Sequence, residues 1–148
     1  MLRKDYIERM IQQFAAAISA ILKLRREKKT EEAQQVLSDT ALSLLGMEYS
    51  TLTMADAAST AKLLGQPLRV KVLARLVAED GELLEQKGEH ARASVRWGLA
   101  LELFLEAQVQ GTKFEGEDAE VFAELRRKVA PALLSERHQR LLEAAPPQ

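Results

Sequence analysis

Two histidines, His90 and His138, and no cysteine occur among the 148 residues. Thiol nucleophiles, disulfides and thiolate metal sites are therefore excluded, which fits a reducing compartment. Imidazole and carboxylate are left as the groups that could move protons or hold cations. His90 comes just after Gly88, where a polar turn residue is expected. His138 adjoins an apolar stripe of Leu134, Leu141 and Leu142. Both read as structural or surface residues. Neither lies in a His-Glu-x-x-His run, and no Glu-x-x-His motif supports a metal pair held between helices. A phosphate-binding Gly-Lys-Ser/Thr loop and a Gly-x-Ser-x-Gly elbow are also missing.

The acids Glu79, Asp80, Glu82, Glu85 and Glu89 crowd one segment, with Glu82 and Glu85, and Glu85 and Glu89, at spacings that share a helix face. Carboxylate pairs at such spacing can act as acid and base or bind a cation. Without a histidine at ligand spacing, the segment reads as a charged face turned to solvent. The run from Lys23 to Lys29 offers Lys23, Arg26, Lys28 and Lys29 to a phosphate backbone. Glu27 dilutes it, no aromatic platform flanks it, and basic residues at a helix C-terminus already have a role against the dipole. Nucleic acid is therefore a weakly supported partner. Trp97 and Phe104 lie two helical turns apart on one side. With Phe114 and Arg96 they form the candidate interaction surface, against the plainer reading of core packing.

These groups must be positioned by helices. Ala and Leu abound, there are only 7 Gly and 4 Pro, and nothing reads as a strand. The pattern predicts an all-α fold of about seven helices in antiparallel hairpins, a single domain over residues 1–145, with 146–148 as a frayed tail. The first helix is expected from Arg3 to Lys28, its stripe Ile7, Ile11, Phe14, Ile18 and Ile21 resembling a short coiled-coil seam. Thr30 is expected to cap a second helix that ends before Gly46, and Thr53 a short one that stops at Gly65. Pro67 opens a helix to about Lys87, which Gly81 interrupts. The next helix directs Ala91, Val95, Ala100, Leu103 and Phe104 inward, and Gly98 allows a close backbone approach. Helices over about 117–129 and 132–144, the last with Leu133, Leu134 and His138 inward, complete the count.

Two turns look alike. Setting Ala33 over Ala93 puts Leu37 over Trp97, Thr40 over Ala100 and Ala41 over Leu101. This small–large–small pattern after a polar turn resembles the tetratricopeptide repeat at its turn and second helix. It departs from that family in lacking the aromatic before the first small residue and the proline after the second helix. Residues 1–14 with the first hairpin also resemble an uncharacterised family of small bacterial proteins with a tetratricopeptide-like later half. The resemblance implies a cytoplasmic bacterial protein with a helical interaction fold, and supplies no catalytic residues.

Formal net charge is -1, with basic residues gathered in 1–29 and acidic ones in 79–120. Complementary faces of this kind suit self-association or a basic partner. The leading expectation is a non-catalytic protein–protein interaction or self-association module, an adaptor or a homodimer, with no cofactor. A small-ligand binder or enzyme using carboxylates, with Arg69, Arg75 or Arg96 converging on a pocket, is one alternative. A DNA-linked regulator is a second. Membrane association has little support, because the apolar face of the first helix is needed to close its hairpin.

Overall fold

The computed structural model describes residues 4–145, so the expected frayed tail lies outside the described residues. Among the described residues the fold is all-α. α1 (Lys4–Arg26) and α2 (Thr30–Leu45) form one hairpin. Two short helices, α3 (Tyr49–Leu52) and α4 (Ala57–Leu64), lead to a second hairpin of α5 (Pro67–Gln86) and α6 (His90–Val109). α7 (Gly116–Lys128), a 3₁₀ turn (Pro131–Leu133) and α8 (Glu136–Ala144) follow. No helix among them is long and apolar enough to cross a membrane.

The hairpins repeat at an offset of sixty residues. α1 and α5 end at Arg26 and Gln86, and α2 and α6 begin at Thr30 and His90. Lys28 (φ 60) and Gly88 (φ 82) hold the same left-handed position, and the following Lys29 and Glu89 share φ and ψ within a few degrees (-90, 65 and -92, 67). Matching backbone bonds close both turns: Lys29 N–H to Leu24 O (2.9 Å) and Glu89 N–H to Leu84 O (3.0 Å). The aligned small residues Ala33, Ala41, Ala93 and Ala100 are fully buried, so each second helix packs closely against its first.

α5 is the central element. Ten consecutive residues, Val72 to Gly81, are buried, because α1, α2, α6 and α7 all pack against it. The apolar core is one continuous cluster running from Met10 to Leu134. Phe104, Phe114 and Phe122 meet ring to ring within it, with centroids 5.0 to 5.9 Å apart.

Several expected helix starts move. Thr30 does not cap α2; its hydroxyl donates to Gln86 Oε1 and Lys29 takes the cap position without a side-chain bond. Thr53 turns back to Tyr49 O, closing α3, and Asp56 caps α4 by accepting from Ser59 N–H (3.1 Å). The final helix does not start after Pro131. The chain makes a single 3₁₀ turn there, and Ser135 caps α8 by accepting from His138 N–H. Ala91, Val95 and Leu133, expected inward, face solvent. Ala100, Leu103 and Phe104 are buried as expected, and α6 also buries Ala93, Leu101 and Leu105. Gly81 does not interrupt α5, which runs through it. It is where the Trp97 ring seats, since a Cβ there would lie 2.5 Å from Trp97 Cδ1 and Nε1, while a Cβ on Gly98 would meet nothing.

Candidate functional site

Charged residues of α5 at steps of four, four and three lie on one face: Lys71, Arg75, Glu79 and Glu82. Each meets an opposite charge from α1 or α7. Asp118, in the first turn of α7, takes Lys71 Nζ on one oxygen (2.9 Å) and Arg75 Nη1 on the other (2.8 Å). Glu79 accepts from Arg25 Nη1 at 2.6 Å, and Glu82 pairs with Lys128 Nζ at 2.6 Å. Burial raises the Glu79 carboxyl pKa, with Arg25 and Arg75 pulling it back. On another face of α5, Asp80 accepts from Tyr49 Oη (2.8 Å) and Gln34 Nε2 (3.3 Å) and pairs with Arg96 Nε (3.2 Å). Burial, then the Asp80 charge, pushes the Tyr49 phenol up, so it stays a donor.

The expectation of a solvated acidic face therefore fails for Glu79 and Asp80, which are 5% and 6% exposed. A buried carboxylate persists because cations and hydroxyls from distant segments reach it. The expectation fits Glu85 and Glu89 better, which lie nearer the surface and pair with His90 and Arg92.

Above the Lys71–Asp118–Arg75 group lies a cleft of about 440 Å³. α1 supplies one wall with Ile11, Phe14, Ile18 and Leu22; α5 supplies Leu68 and Val72; Glu115 and Glu117 form a rim at the start of α7. Ile11 is 49% exposed although it belongs to the apolar seam. The seam divides here. Ile18 and Ile21 enter the core, while Ile11 and Phe14 wall the cleft. Of the three arginines expected to converge on a pocket, Arg75 does so. Arg69 donates to Leu45 O (2.8 Å), and Arg96 is held by Asp80 and stacks over the Tyr49 ring.

The candidate interaction surface of Trp97, Phe104, Phe114 and Arg96 is not a surface. Phe104 and Phe114 are buried in the aromatic cluster, because the loop before α7 folds Phe114 back onto α6. Trp97 is partly buried, seated on Gly81 and covered by Lys128 Nζ, 3.9 Å from the ring centroid. Its Nε1 is buried with no hydrogen-bond partner.

A second polar cluster surrounds His138. His138, expected beside apolar residues, is 3% exposed and sits between two glutamates one turn apart on α6. Its Nδ1 lies 2.5 Å from Ser135 Oγ and 3.3 Å from Glu102 Oε2; its Nε2 lies 2.7 Å from Glu106 Oε2. Arg137 makes two further bonds to Glu106 (2.8 and 3.0 Å). Burial opposes the charged imidazole, but bonds and charge from Glu102 and then Glu106 outweigh it and raise its pKa. The Arg137 bonds hold the Glu106 carboxyl below its usual value, against burial. Serine, histidine and glutamate in a row are the parts of a nucleophile relay. Here the imidazole is stabilised with both nitrogens protonated, and Ser135 Oγ is occupied as the α8 cap. Those contacts fasten α8 to α6. Among the described residues, no group of three or more carboxylates or imidazoles is arranged to hold a metal ion.

Compared with models of protein families, with curated proteins and with solved structures, the chain matches none.

Proposed function

We propose that the protein is a non-catalytic interaction module whose cleft between α1, α5 and α7 receives an apolar segment of another protein. The observation that carries this reading is the cleft itself: an apolar wall on α1, left open along Ile11, facing Leu68 and Val72. Helical hairpins present such walls to peptide segments through side chains at i, i+3, i+4 and i+7. Asp118 and Glu117 together balance Lys71 and Arg75 in the floor, and Glu115 adds a negative charge at the rim, so the segment that fits best carries a basic residue beside its apolar anchors. The repeated hairpin turn supports a tetratricopeptide-like scaffold, and a cytoplasmic bacterial setting belongs to the same reading. Self-association would use the same α1 wall.

A small-ligand reading is favoured by one further observation. Arg75 Nε is buried in the cleft wall without a partner, and a volume of about 440 Å³ is of small-molecule size.

Peptide display against the folded protein tests the main reading. Peptides with apolar anchors flanked by Lys or Arg are expected to bind the wild type. They should lose about tenfold or more in affinity on Ile11→Glu, a change at a half-exposed position that leaves the core intact. A selection yielding no peptide that distinguishes the two proteins would overturn it. Sedimentation of both proteins reads self-association in the same samples.

A further inference from the structure

α8 carries an inference that does not rest on the proposed function, although the hollow beside it shares Glu115 with the cleft. α8 is held at its first turn by polar contacts: Glu102 Oε2 accepts from Ser135 N–H (2.9 Å), Arg137 forks onto Glu106, and His138 bridges Glu102 and Glu106. His138 is the one buried residue of α8. Further along, Leu141, Leu142 and Ala145 pack against the core but are only partly buried. Leu141, Ala144 and Ala145, with Leu105, Val109 and Phe114, line a hollow of about 540 Å³. A short amphipathic helix thus lies over an incompletely filled apolar hollow, pinned at one end by an imidazole between two carboxylates.

We propose that α8 is a proton-gated flap: it is docked while the His138 imidazole is charged and loosens when that imidazole becomes neutral, uncovering Leu105 and Phe114 beside the already exposed Val109. The cause is local. A neutral ring keeps a donated bond from Nε2–H to Glu106 and can accept one from Ser135 Oγ–H. Glu102 then faces a nitrogen lone pair at 3.3 Å, and Arg137 is left as the remaining cation against two carboxylates. The charges facing the ring are Glu102 and Glu106 on α6 and Arg137 on α8; Asp56, at the start of α4, also senses its charge.

Because contact with the glutamates raises the folded-state pKa, the charged ring's contribution is fully present below the ordinary imidazole value of about 6.5 and is lost as pH rises through the raised value. Glu106 sets the acid side, since its lowered pKa contributes above the ordinary carboxylate range and is lost as pH falls through it. The flap is tightest between those two limits.

The test is nuclear magnetic resonance of the full chain from mildly acid to mildly alkaline pH. It reads the His138 ring titration together with amide exchange in α8 and α6, normalised to intrinsic rates. Expected is a loss of α8 protection that tracks the His138 midpoint while α6 keeps its own. Glu102→Gln should move the midpoint and the loss together to lower pH. His138→Gln should leave α8 protection flat. Protection in α8 that stays constant through the wild-type titration, or falls only together with that of α6, would overturn the proposal. So would a Glu102→Gln variant whose midpoint moves while its protection profile does not.

Discussion

Hairpins α1/α2 and α5/α6 turn through the same backbone, yet one is enclosed by neighbours and the other stands at the edge. Sixty residues apart, Ile11 corresponds to Lys71, Ala15 to Arg75, Ser19 to Glu79 and Ala20 to Asp80. At these four positions the more deeply buried helix carries charges, and the more exposed one carries isoleucine, alanine and serine. Burial alone would predict the reverse. α5 has a partner on every side, and those partners bring Arg25, Asp118, Lys128, Tyr49 and Arg96 to meet its charges. α1 lacks a neighbour along part of its length, so its apolar residues are left to wall a cleft. The turn is encoded locally, whereas the polarity of each helix answers to what packs against it.

The sharpest way to break this comparison is at Asp80. Asp80→Ala strands the Tyr49 hydroxyl and the Arg96 guanidinium, and should lower unfolding stability by about 3 kcal/mol in denaturant titration. A cost near zero would show that the neighbours do not hold α5 through its charges.

A second contrast lies in the packed pair Gly81 and Trp97, whose counterparts are Ile21 and Leu37. The second hairpin joins the smallest residue to the largest where the first joins two of middle size. Gly81→Ala should therefore destabilise by about 2 kcal/mol, despite a helix-propensity gain of about 1 kcal/mol, because the new methyl meets the indole. Adding Trp97→Leu should recover part of that loss; the cycle is read by circular dichroism during unfolding.

The smallest effect separates the turns. Lys28 occupies at φ 60 the position that Gly88 fills without strain. Lys28→Gly should raise stability by about 0.5 kcal/mol, and Gly88→Ala should lower it by about 1 kcal/mol, both measured as shifts in denaturation midpoint. Opposite signs at equivalent positions are the result to look for.

The sequence made the hairpins legible because their information is local. The small residues Ala33, Ala93 and Ala100, the left-handed glycines and Pro67 each act within a few positions. The charge network was illegible for the opposite reason. Arg25 and Glu79 are 54 residues apart, and Tyr49 and Asp80 are 31 apart. Nothing near Glu79 or Asp80 distinguishes them from the more exposed Glu85 and Glu89. The α8 cluster did leave a signal. Ser135 stands three residues before His138, and Glu102 and Glu106 are four apart in the otherwise apolar stretch from Trp97 to Ala107, which marks a partner for a buried polar group. The aromatic reading of Trp97, Phe104 and Phe114 misled because spacing places residues on one side of a helix without saying whether that side faces solvent or the core.

Trp97 is the only tryptophan of the chain, and it sits where α5, α6 and α7 meet, pressed on a glycine backbone beneath an ammonium group. Its fluorescence is thus a built-in optical gauge of that junction. Events there change the emission colour and intensity of a single chromophore.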